Sequence, residues 1–165
     1  MENGKEELFS LKEIVPKRAL TFVANTVYNE NYETMPMSHK WIENSDSRVV
    51  EYNWTKSGIE NRFQITASKQ SYEITSGSET EFITEHYWGY AKVDNEKSNE
   101  YEVTHPKWKA YKVSDYQINV DFGIVYGSKF NFLNSIKPNS VMLAEGSEIT
   151  VENKKTIRAT HQQYV

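Results

Sequence analysis

From Tyr32 onward, apolar and polar residues in this chain alternate with a period of two. Val50, Tyr52 and Trp54 alternate with polar neighbours, and so do Phe63, Ile65 and Ala67. A period of two places one set of side chains on one face of a pleated strand. Between the two runs, Lys56 to Asn61 reads as a turn around Gly58, so the pair predicts a β-hairpin. The apolar phase then shifts to Tyr72 and Ile74, which predicts a bulge near Lys69 to Ser71. Tyr101, Val103 and His105 share a strand face, and Trp108 to Val113 continues the sheet. Tyr116, Ile118, Val120, Phe122 and Ile124 predict a long strand, with bends at Gly123 and Gly127. Val141 to Val151 is the last clear strand, and Lys154 to Val165 reads as a polar tail, either unstructured or with one further short strand.

One segment has a different period. Ala19, Leu20, Val23, Ala24, Val27 and Tyr28 form a single helical stripe, with Pro16 suited to its first turn. That face needs a sheet to pack on. Thr80 to Thr84 fits a helical turn before a strand over His86 to Val93. The expected fold is α+β and mainly β: a curved antiparallel sheet or barrel with one main helix, in a single domain over residues 1–165. Aromatic residues at 13% of the chain suit half-buried sheets and pocket linings better than helical bundles.

Several function classes lose support at this level. The formal net charge is −4 and no Lys/Arg stripe stands out, so nucleic acid is not an expected partner. With no cysteine, disulfides, thiolate catalysis and Cys-ligated metals are excluded. The N-terminus lacks a signal-peptide core and no run is long and apolar enough to span a bilayer, so a soluble cytoplasmic protein is the expectation. His39, His86, His105 and His161 lie far apart and show no paired-ligand spacing, so no metal or other cofactor is expected.

The candidate site residues are isolated ionisable groups among aromatics. His86 alternates with Phe82, Trp88 and Tyr90, and His105 sits with Tyr101 and Val103. Either imidazole suits acid/base or ligand work, or else a core histidine bonded to backbone. Glu145 shares parity with Val141, Leu143, Ile149 and Val151. On a regular strand it would be a core carboxylate with a raised pKa; with a bulge at Gly146 it would turn outward.

Long ordered segments resemble the YqjF-like family of uncharacterised bacterial proteins. They are ELFSL (Glu7 to Leu11), YNENYETMPMS (Tyr28 to Ser38), EFITEHYWGY, the HPKW turn, VDFGIVYG and SVMLAEGSE. The family is similar in fold to acetoacetate decarboxylase, so the resemblance implies a strongly curved barrel or cone around a small-molecule pocket. It also implies further strands before the segment matching ELFSL, so the chain is expected to be N-terminally short. The decarboxylase uses a Schiff-base lysine. The matching position falls near Tyr32-Glu33-Thr34, which has none; the adjacent pair Lys154-Lys155 sits in a polar stretch.

The leading expectation is a protein that binds a small molecule in a β-barrel pocket lined by His86, Tyr87, Trp88, His105, Tyr126 and Glu145. Two alternatives stand beside it. One is an enzyme acting on a small carbonyl or carboxylate compound through His86, His105 or Glu145. The other is a non-catalytic module that forms a homodimer through an open edge or a shared helix.

Overall fold

The computed structural model describes residues 11–158. His161 and nearly all of the ELFSL segment lie outside them. The fold is mainly β, with a curled antiparallel half-barrel sheet and few helices, as the period-two pattern requires. The chain divides into two compact units, 1–33 with 85–106 and 147–165, and 34–84 with 107–146. Among the described residues, no helix is long and apolar enough to cross a membrane.

The first unit opens with strand β1 (Glu13–Val15), helix α1 (Arg18–Val23) and a π-helical turn over Ala24–Tyr28. β1 pairs with β2 (Tyr32–Thr34). The helical stripe is present, but it is not buried against a sheet. Leu20, Val23 and Val27 remain exposed, and Pro16 precedes the helix rather than entering its first turn. The reason is local: α1 has only six residues, and the change to π geometry at Ala24 breaks the 3.6-residue stripe. Asn29 closes the turn in the left-handed conformation at φ 64°. β6 (Trp88–Lys92) pairs with β7 (Lys97–Thr104), which also carries the short strands β10 (Thr150–Val151) and β11 (Lys155–Arg158).

The second unit is built on a five-stranded sheet in the order β3-β4-β5-β8-β9. The strands are β3 (Met37–Glu43), β4 (Ser47–Lys56), β5 (Ile59–Glu73), β8 (Lys109–Asn119) and β9 (Leu143–Ala144). The predicted hairpin is β4–β5, and its turn is tighter than the pattern suggested. Only Ser57 and Gly58 lie outside the ladder, at φ 51° and 78°. Two successive positive φ values are what a two-residue hairpin turn with the strands' own twist demands. The predicted bulge is also present, as a register shift between Ala67 and Ser71 against β8.

Two expectations fail in this region. The run from Tyr116 to Ile124 does not continue as one strand. β8 ends at Asn119, and Phe122–Tyr126 form helix α3, with the Asp121 carboxylate accepting from the Ile124 N–H at 3.0 Å. That cap satisfies an otherwise orphaned helix donor and ends the strand. A 3₁₀ stretch over Ser128–Ser135 follows. Nor is Val141 to Val151 one strand: only Leu143–Ala144 and Thr150–Val151 are extended and paired, and Gly146 between them sits at φ 69°. Helix α2 (Glu79–Thr84) occupies the predicted helical turn.

Candidate functional site

The sheet of the second unit sorts its side chains by register. One row runs Met37, Trp54, Asn61. The next rows run His39, Tyr52, Phe63, Ile118 and then Trp41, Val50, Ile65, Tyr116. The last runs Glu43, Arg48, Ala67, Val113. All of these share one face of the pleat, because paired residues point the same way and the period along each strand is two. The opposite face carries Lys40, Glu51, Gln64 and Gln117 in one row, with Arg62 paired to Glu51 at 2.6 Å.

The apolar face is only partly covered. Val50 and Trp54 are buried, but Trp41 is 52% exposed, Tyr52 42%, Ile118 38% and Tyr116 37%. Contiguous exposed aromatic and aliphatic surface of this kind marks an interaction or ligand surface rather than ordinary exterior. At one side the face deepens into a cleft of about 600 Å³, between Tyr116, Ile118 and Val120 and the arm bearing Phe122, Leu133 and Ile136. This volume lies within the range of small-molecule pockets.

The arm is held by polar contacts at its start. Asn61, fully buried, accepts from the Asp121 N–H at 2.9 Å and donates to the Ile59 carbonyl at 3.1 Å. Gly123 allows the side chain of Asn131 to lie directly against the α3 backbone. Val125 of α3 is fully buried.

The six residues expected to line a pocket fall into the two units. Tyr126 and Glu145 are in the second. Tyr126 stacks on the cleft residue Phe122 at 6.3 Å between ring centroids and meets Phe130 edge-on. Glu145 is exposed, and its N–H continues the β9 ladder to the Lys109 carbonyl at 2.9 Å. It accepts from the Lys109 N–H at 3.2 Å and from the Tyr111 hydroxyl at 3.4 Å.

The other four are in the first unit. Tyr87 stacks on His105 at 4.9 Å, and its hydroxyl donates to Glu85. His105 places Nδ1 2.9 Å from the Pro106 carbonyl. His86 is half-buried just before β6, and Trp88 opens that strand opposite Glu102. Trp88 lines a smaller cleft of about 360 Å³ with Tyr101 and the glutamates Glu100, Glu102 and Glu152.

Beside this cleft, Tyr101 donates to Glu30 at 2.6 Å and packs edge-on against Tyr28 at 5.0 Å. Burial raises the Tyr101 pKa well above its ordinary value, and the Glu30 carboxylate it bonds raises it further. The folded protein therefore keeps this proton at pH values where the unfolded chain has lost it. The resulting contribution is fully present below about pH 10, the ordinary tyrosine value, and declines above it. Urea unfolding between pH 8 and 11 should show stability falling as pH rises, and Tyr101→Phe should flatten that decline. An unchanged slope in Tyr101→Phe would contradict the assignment.

Sequence reasoning did not single out Trp41, Tyr116, Phe122 or Leu133 as site residues. The alternating pattern was visible at several of these positions, but alternation alone does not separate a covered face from an open one.

The sequence model of the DUF2071 family, described as an uncharacterized conserved protein, matches residues 2–148. The chain belongs to this family. The match to DUF2071 takes in the whole five-stranded sheet, the arm and strands β6 and β7, and it ends before β10. No curated protein and no solved structure matches the chain.

Proposed function

We propose that this DUF2071 protein binds a small, largely apolar molecule on the apolar face of its half-barrel sheet, in the cleft between the sheet and the arm. The observation that carries the reading is the apolar face itself. Trp41, Tyr52, Tyr116 and Ile118 stay substantially exposed on one side of the sheet. The volume of the cleft supports it further. So does the resemblance to decarboxylase-like scaffolds, which implies a curved barrel around a pocket. Tyr126 supports the arm through Phe122. The residues Tyr87, Trp88, His86 and His105 belong to the first unit and do not line this cleft.

Nile red, a neutral dye whose emission rises in apolar surroundings, tests the reading. The dye should bind saturably with a stoichiometry of one per chain. Ile118→Glu, which places a charge on the face, should weaken binding by about tenfold or more. Sedimentation at several concentrations accompanies the titration. A protein that excludes the dye while associating into dimers would show that the face is covered by a second copy, and the proposal would fall.

A further inference from the structure

The apolar face ends in a charge. Arg48 occupies the β4 position two residues beyond Val50, in the row with Ala67 and Val113, so its side chain lies along the same face as Trp54, Tyr52 and Val50. An arginine there is costly unless its donors are satisfied. They are satisfied only in part. One terminal nitrogen pairs with Glu43 at 3.2 Å, and the guanidinium carbon lies 4.1 Å from the centre of the Tyr111 ring. Its Nε–H is buried and has no acceptor. Glu43 is also shared, since Lys69 approaches the same carboxylate at 3.6 Å. Two cations thus compete for one carboxylate at this end of the face. Glu145 is engaged by the Tyr111 hydroxyl and the Lys109 N–H.

The geometry points to an elongated apolar acid as the ligand, its hydrocarbon body along the face and its carboxylate at Arg48. This inference rests on the binding reading above and adds the chemical class. Tyr52 and Ile118 in one row and Trp41 and Tyr116 in the next stay open along the face, which gives an extended chain an apolar track leading to the Arg48 row. The ladder rows Val50–Ile65–Tyr116 and Tyr52–Phe63–Ile118 floor that track. A carboxylate offers two acceptor oxygens in the plane of the guanidinium fork, so it offsets the charge that Glu43 shares with Lys69. The flanking aromatic ring holds the guanidinium plane in place, as stacked arginines are commonly held. A neutral apolar chain would fill the track and leave Arg48 as it is.

Competition against bound Nile red tests this with decanoate and 1-decanol at neutral pH. Decanoate should displace the dye at about tenfold lower concentration than 1-decanol. Arg48→Gln should remove that preference. Tyr111→Leu should reduce the preference in part. Equal potency of acid and alcohol in the unaltered protein would overturn the inference while leaving the binding reading intact, and that comparison needs no variant to fold. Retention of the preference in Arg48→Gln would overturn it too, as would failure of both compounds to displace a dye that itself binds. A protein that does not bind the dye at all would instead sink the underlying reading.

Discussion

Asn61→Leu should cost the protein about 3 kcal/mol and loosen the binding cleft at the same time. Asn61 is fully buried, and its side-chain oxygen accepts from the Asp121 N–H at 2.9 Å. Removing that acceptor leaves a donor unsatisfied, which costs about 1–3 kcal/mol, and the bond to the Ile59 carbonyl is lost as well. Leucine is close in volume, so the effect comes from the missing hydrogen bonds and not from a cavity. The position of the bond makes it matter for function. Asp121 caps α3, and α3 opens the arm that forms one wall of the cleft. Urea unfolding should show the lower midpoint. Dye binding measured at low denaturant, where the variant is still folded, should also weaken. Weakened stability with unchanged dye affinity would mean that the arm does not depend on this anchor.

Gly89→Ala should be the most damaging single-methyl change in the first unit. Gly89 pairs directly with Tyr101 across β6 and β7, and a Cβ at this position would stand 2.3 Å from the Tyr101 ring. The ring has little freedom to move. Its hydroxyl is bonded to Glu30, its edge rests on Tyr28, and its strand is fixed by pairs on both sides. Overpacking of this kind costs about 1–3 kcal/mol, and displacing the ring puts its hydrogen bond at risk in addition. A double-mutant cycle with Tyr101→Ser separates the terms. The serine variant removes the obstructing ring, so Gly89→Ala should cost much less in that background, and the two changes should be strongly non-additive. Additive costs would show that the ring is not what the methyl group meets.

The parts of this fold that were legible in the sequence are those fixed by local chemistry. Gly58 between two alternating runs placed the β4–β5 hairpin, and the phase change at Tyr72 placed the bulge, because a one-residue slip moves every side chain to the other face. The arm was misread for an equally local reason. Phe122, Ile124 and Tyr126 alternate as in a strand, yet Phe122, Val125 and Tyr126 fit a helical turn equally well. Over five residues periodicity does not decide between them, and the Asp121 cap does.

The candidate site was less legible than the fold. Arg48 looks like an ordinary polar residue in a strand, and nothing near it in sequence reveals Tyr111 over its guanidinium or an Nε–H without an acceptor. Which face of a sheet stays open is a property of what packs against it, and a single strand's pattern carries no record of that. The histidines were singled out for their aromatic neighbours. One of them, His105, does stack on an aromatic ring, that of Tyr87.

The central claim is that the half-exposed face of the five-stranded sheet receives a small apolar ligand. Its most direct test is the measurement of intermolecular nuclear Overhauser contacts between bound decanoate and the protein's isoleucine methyl groups. The account predicts contacts from the alkyl chain to Ile65, Ile118 and Ile136, and none to Ile42, which lies on the opposite side of β3. Contacts spread over Ile42 and other surface methyls, or absent from Ile118 and Ile136 at saturating decanoate, would contradict it.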